Sequence, residues 1–208
     1  MDIFLLTDII GIIAFSLSGF LVGLRNRLDL LGIVIAAALT ALGGGILRDA
    51  LLHRTPFAFS EYYPAATVVI TIMIAFAFQS LRSEKIEHRW LFVVSDTVGL
   101  VAFSITGALL AIHAHYNVFG IVILSFLTAV GGGVTRDIMI NKVPSVLVSD
   151  FYGSIALIVA TLLALLHYID LINNYTIFAV ALFSVLLRLI AYKSSWHLPK
   201  MRYEEKER

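Results

Sequence analysis

The chain has 208 residues, of which 60% are hydrophobic and 14% charged, and its net charge is +1; its mean hydropathy is +0.94. A soluble domain carries about 25% charged residues, so this composition excludes an ordinary soluble protein and points to an all-α polytopic membrane protein. No basic patch marks a nucleic-acid partner, and the absence of cysteine excludes disulfides, thiol chemistry and the usual thiolate ligands of a structural zinc ion.

A helix that crosses the hydrocarbon needs about 20 residues. In chain order the apolar stretches predict seven spans, at Thr7–Leu24, Leu30–Leu52, Ala65–Leu81, Leu91–Ile112, Val118–Ile140, Ser149–Leu166 and Thr176–Tyr192. The start, "MDIFLLTD", is acidic and runs into the first span without a small-residue cleavage site, so no cleaved signal peptide is expected. Connections such as "RNRLD" and "RSEKIEHR" are short and polar, and a charged cytoplasmic tail fills 193–208.

An internal repeat organises these spans. Asp8 matches Asp96, Gly19 matches Gly107, Gly43 matches Gly131 and Pro56 matches Pro144, always at an offset of 88. Thr7–Pro56 lies on Ser95–Pro144 without a gap, and 20 of the 50 positions are identical. The chain divides into a first three-helix repeat (1–88), a second (89–174), the seventh helix (175–192) and the tail. Three spans per repeat is an odd number, so the second unit enters from the opposite side. This is an inverted three-plus-three repeat with a pseudo-two-fold axis in the membrane plane, plus a seventh helix. With the N-terminus outside, eleven loop and tail Lys and Arg face inward, among them Arg25, Arg27 and Lys142, against Arg54 alone outside. The positive-inside rule then predicts N-terminus out and C-terminus cytoplasmic.

Two motifs stand mid-span: "GGGILRD" from Gly43 and "GGGVTRD" from Gly131. Three successive glycines are poor helix formers, and non-helical backbone at membrane depth survives only where protein or water satisfies it. Gly43, Gly44, Gly45, Gly131, Gly132 and Gly133 are therefore expected to break spans two and five where the axis brings them together, freeing carbonyls that favour a cation. Thr40 and Thr128 precede the breaks, and Ser16 and Ser104 sit mid-span, as candidate pore-lining hydroxyls. The competing reading is that small residues only let helices pack closely and that the hydroxyls bond back to their own helices.

Charges follow each motif. Arg48 and Arg136 lie roughly 8 Å beyond the two breaks at 1.5 Å per residue. Adjacent helix residues point to different sides, yet depth allows Asp8 and Asp49 to surround Arg48 at one mouth, and Asp96 and Asp137 to surround Arg136 at the other. Intramembrane charges are functional candidates by default; the alternative is ion pairs that fix helix ends. The histidines fall mostly in loops and span ends, and "HAH" at His113 and His115 has no acidic partner nearby in sequence. No metal, cofactor or enzymatic constellation is expected.

The twin GGG-x-x-RD motifs, the inverted repeat and the seventh helix resemble the trimeric intracellular cation (TRIC) channel family, in particular its prokaryotic members, which share a family label with putative glycine transporters. The resemblance covers the chain to about Tyr192. It implies a homotrimer in the prokaryotic plasma membrane, with a pore inside each protomer lined by kinked spans two and five. It also implies passive, potassium-preferring permeation of K+ or Na+, with no cofactor. Animal members carry Lys-Glu where this chain has Arg-Asp. The alternative function is secondary transport of glycine or another small amino acid.

Overall fold

The computed structural model describes residues 3–81, 88–148 and 151–196. These form nine helices: α1 (Ile3–Arg25), α2 (Leu30–Leu51), α3 (Phe57–Ser60), α4 (Tyr63–Leu81), α5 (His88–His113), α6 (Val118–Met139), α7 (Ser145–Val148), α8 (Tyr152–Tyr168) and α9 (Asn174–Lys193). α1, α2, α5, α6 and α9 are each long and apolar enough to cross a membrane, and α4 and α8 contain shorter apolar segments. The seven long helices correspond to the seven expected spans, with ends shifted by a few residues. The single-turn helices α3 and α7 were not anticipated. Ser149, the basic residues Arg82 and Lys85, and the tail from 197 lie outside the described residues.

Sequence sets the helix starts in matched pairs. Asp29 caps α2 by accepting from the Gly32 amide at 2.7 Å, and Asn117, its repeat partner, caps α6 through Gly120 at 2.9 Å. Such a cap contributes about 1 kcal/mol. Asn173 opens α9 with a reciprocal capping box to Thr176.

α1, α2, α5 and α6 form the centre; α4 packs mainly on α1, and α8 and α9 pack on α5 and on each other. Two central crossings repay close inspection. Between α1 and α5, the ring of Phe103 fills the space that a Cβ on Gly11 would take, and the ring of Phe15 does the same over Gly99. The two rings lie 5.3 Å apart, centroid to centroid. Between α2 and α6, Gly44 faces Thr128 and Gly132 faces Thr40. In each pair a rising number on one helix meets a falling number on the other, so both pairs are antiparallel, as an inverted repeat requires.

One expectation fails here. α2 and α6 run as continuous α-helices through both triple-glycine runs, and no described glycine has positive φ. The runs therefore do not break the helices or free backbone carbonyls. Their six positions meet distinct surroundings. Gly43 and Gly131 let the helix axes meet, with a would-be Cβ 3.2 Å from the Gly132 Cα and 3.3 Å from the Gly44 Cα, respectively. Gly44 and Gly132 abut carbonyl oxygens of the opposite helix, so close that any side chain would overlap them. Gly45 makes room for the Phe57 ring, while a Cβ on Gly133 would stand 3.7 Å from Arg136 and Tyr152 side-chain atoms. Consecutive helix residues point in directions about 100° apart, which is why close contact on several sides takes a run of glycines.

Candidate functional site

On one side of the α2–α6 crossing, Arg48 lies wholly buried in a cluster of charges. Its Nε donates to Asp49 Oδ1 at 2.8 Å, and its Nη1 reaches Asp8 Oδ1 at 3.4 Å. The Tyr63 hydroxyl donates to the other Asp8 oxygen at 2.7 Å. Asp49 also accepts from Arg54 Nε at 2.9 Å and from the Phe57 amide at 2.8 Å. The Arg48 guanidinium lies 5.1 Å from the centroid of the Phe57 ring, the same ring that Gly45 accommodates.

The other side repeats the design on α6. Arg136, 2% exposed, places Nε and Nη2 each 2.9 Å from Asp137 Oδ1. Asp137 Oδ2 accepts from the Ser145 amide at 2.8 Å and its hydroxyl at 2.9 Å; residue 145 is the repeat partner of 57. Asp96 accepts from Ser18 Oγ at 2.9 Å and from the Tyr152 hydroxyl. Arg188 of α9, 7% exposed, sits 5.3 Å from the centroid of the Tyr152 ring.

Most of the expected pairings fall together. Asp8 and Asp49 do surround Arg48. Asp137 holds Arg136 directly; Asp96 takes its hydrogen bonds from Ser18 of α1 and Tyr152 of α8, with no Arg136–Asp96 ion pair within 4.0 Å among the described residues. Adjacency on the helix does not separate Arg48 from Asp49 or Arg136 from Asp137: each Nε reaches the next residue's carboxylate.

The hydroxyls depart further from expectation. Thr40 bonds Ala36 O at 2.6 Å, Thr128 bonds Leu124 O at 2.6 Å and Ser104 bonds Leu100 O at 2.8 Å. They satisfy their own helices, as the competing reading had it. Ser16 Oγ is buried with no hydrogen-bond partner among the described residues, and so are one nitrogen of Arg48 (Nη2) and one of Arg136 (Nη1). All four hydroxyl residues are fully buried.

Sequence reading missed Tyr63, Tyr152 and Arg188; Ser18 stood out only as a mid-span hydroxyl and not as a partner of Asp96. The two tyrosines are 89 apart, one residue off the repeat offset, so the gapless alignment hides their equivalence. A cavity of ≈ 480 Å³ between the start of α2 and the end of α6 is lined by Asn26, Gly32, Asn141 and Arg136 among others. A larger apolar cavity, ≈ 570 Å³, lies between α1 and α4, and its lining holds no residue of either cluster.

Two charge clusters flanking an antiparallel glycine crossing can be set beside known proteins. The glycine transporter family model matches residues 5–80 and again 93–168. The chain belongs to this family. The double match is the internal repeat seen independently. A Deinococcus radiodurans UPF0126 membrane protein is 40% identical over 142 residues, 67% of this chain and 64% of that protein. The Bacillus subtilis UPF0126 membrane protein YvgT is 32% identical, covering 95% of this chain and 96% of its own. The Escherichia coli inner membrane protein YadS is 29% identical, over 92% and 91%. Among solved structures, a TRIC cation channel studied for conductance superposes with TM-score 0.84 at 32% identity, over 96% of this chain and 97% of that one. The Rhodobacter sphaeroides orthologue of the trimeric intracellular cation channel gives TM-score 0.85 at 26% identity, over 94% and 100%. The chain is thus an integral membrane protein with the TRIC channel fold, in a non-enzymatic family.

Proposed function

We propose that this protein is a monovalent cation channel, potassium-preferring, working as a homotrimer with one pathway inside each protomer between α2 and α6. The observation that carries the reading is the pairing of two buried Arg–Asp clusters across a glycine-rich helix crossing, in a chain whose full-length structural relatives are described as cation channels. In the sense predicted by the loop charges, the Asp8–Asp49–Arg48 cluster forms the outer mouth and the Asp96–Asp137–Arg136 cluster the cytoplasmic one.

On this reading, the close approach of α2 and α6 at their glycines is the closed arrangement of the channel. Conduction requires α2 and α6 to part at Gly43–Gly45 and Gly131–Gly133, so these residues act as a hinge through their slim contact. Buried guanidinium nitrogens without protein partners, and Ser16 Oγ, are groups that pathway water satisfies. The arginines then set the barrier: a guanidinium at a constriction repels a cation, and its carboxylates offset that repulsion.

The second reading, a secondary transporter of glycine, is favoured by the family description alone. The deciding experiment compares planar-bilayer current with labelled glycine uptake by proteoliposomes. A channel passes current that reverses at the potassium equilibrium potential without any solute gradient. Protein that carries no current in a potassium gradient, yet concentrates glycine, overturns the channel assignment.

A further inference from the structure

We propose that Arg188 of the seventh helix supplies the second cation of the Asp96–Asp137 cluster, so that a helix outside the duplicated unit completes one mouth of the pathway.

The two clusters draw their second cation from different places. The cluster around Arg48 contains two carboxylates, Asp8 and Asp49, and two guanidiniums, because Arg54 from the loop after α2 binds Asp49 at 2.9 Å. The repeat partner of Arg54 is Lys142, which is exposed. Among the described residues no ion pair within 4.0 Å joins Lys142 to Asp137; Ser145 occupies Asp137 Oδ2 as the Phe57 amide occupies Asp49 Oδ2, and no counterpart of Arg54 joins Oδ1. The second repeat therefore has two carboxylates and, from its own residues, one buried guanidinium.

α9 brings the other. It packs against α5 and α8, the helices that carry Asp96 and Tyr152. Arg188 is 93% buried in the interior, on a helix whose neighbouring positions Leu182, Phe183, Leu186 and Ile190 are exposed apolar side chains. An arginine within a spanning helix is costly unless a polar site receives it. Its guanidinium covers the Tyr152 ring at 5.3 Å, and the hydroxyl of that same ring hydrogen-bonds Asp96. Each mouth thus gathers two aspartates, two arginines and a tyrosine, with the second arginine drawn from a loop at one end and from α9 at the other.

The mouth role rests on the channel reading; the charge pairing does not. Removing Arg188 leaves excess negative charge at the Asp96 end only. One unit charge about 10 Å from the pathway changes local cation occupancy by about two- to tenfold at intermediate dielectric.

The test has two arms. In the first, a double-mutant cycle of Arg188→Gln and Asp96→Asn is read as apparent Tm of the full chain in detergent. Arg188→Gln lowers Tm, and adding Asp96→Asn recovers at least half of the loss. Additive shifts overturn the pairing. In the second, oriented single channels give current–voltage curves. Arg188→Gln changes the rectification ratio by about two- to tenfold in one sense, Arg54→Gln changes it in the opposite sense, and Arg188→Lys matches the parent. A coupled cycle with unchanged rectification overturns the mouth role and leaves Arg188 a structural partner of Asp96. A parent that carries no current overturns the channel reading, while a coupled cycle still upholds the pairing.

Discussion

Gly44 and Thr128 meet where α2 and α6 cross: a Cβ on Gly44 would overlap the Thr128 carbonyl oxygen, and one on Gly132 would overlap that of Thr40. Gly44→Ala and Gly132→Ala are therefore each expected to destabilise. Forced overpacking costs about 1–3 kcal/mol, which outweighs a helix-propensity gain of about 1 kcal/mol. Gly133→Ala, with its nearest atoms at 3.7 Å, is expected to be neutral or stabilising. Thermal unfolding in detergent ranks the three; a raised Tm for Gly44→Ala would mean that the crossing is looser than it stands here.

Arg48 is buried with Asp8 and Asp49 against it. Arg48→Ala strands the Asp8 carboxylate, and loss of one partner from a buried pair costs about 3–5 kcal/mol. Asp8→Asn in the same chain is expected to restore part of that loss. In bilayers, loss of the guanidinium is expected to lower the barrier to a cation by about 1–3 kcal/mol, read as a larger potassium current. Unchanged current in both Arg48→Ala and Arg136→Ala would assign these charges to structure alone.

Tyr63→Phe and Tyr152→Phe each delete a hydroxyl donated to an aspartate. A hydrogen bond to a charged group contributes about 1.5–3 kcal/mol. Tyr152, 4% exposed, is expected to show the larger effect, since Tyr63 is only half-buried and water reaches the place of its lost hydroxyl more easily. Chemical or thermal unfolding of the two variants, side by side, checks the order.

Orientation is tested with single cysteines at Ser60 and Val143, both exposed positions in loops or short turns. An impermeant thiol reagent added outside intact cells is expected to label Ser60→Cys and spare Val143→Cys. The reverse pattern would invert the topology and exchange the two mouths.

Fold and site were unequally legible in the sequence. The repeat and the seven spans were plain, because hydropathy and a constant offset of 88 are properties of the chain itself. The pairing of Asp8 with Arg48 was legible because depth along a helix follows from counting residues. The behaviour of Gly43–Gly45 was not. Glycine weakens an isolated helix, but here antiparallel packing on several faces holds the turn and uses the absent side chains. Tyr152 was hidden by a one-residue shift in register, and Arg188 by lying outside the repeat that directed attention elsewhere.

The reciprocal seats of Phe15 over Gly99 and Phe103 over Gly11 bear on how such a chain arises. A polypeptide of three helices with one phenylalanine and one glycine at that spacing already holds both halves of the lock, provided a second copy lies upside down against it. Two ancestral copies meet that way only if the polypeptide inserts in both senses, which demands an even spread of Lys and Arg over its loops. Fusion removes that demand. Once the halves are covalently joined, each is free to load basic residues on the loops of a single side, and the uneven placement of Arg25, Arg27 and Lys142 against Arg54 is the trace such a release would leave.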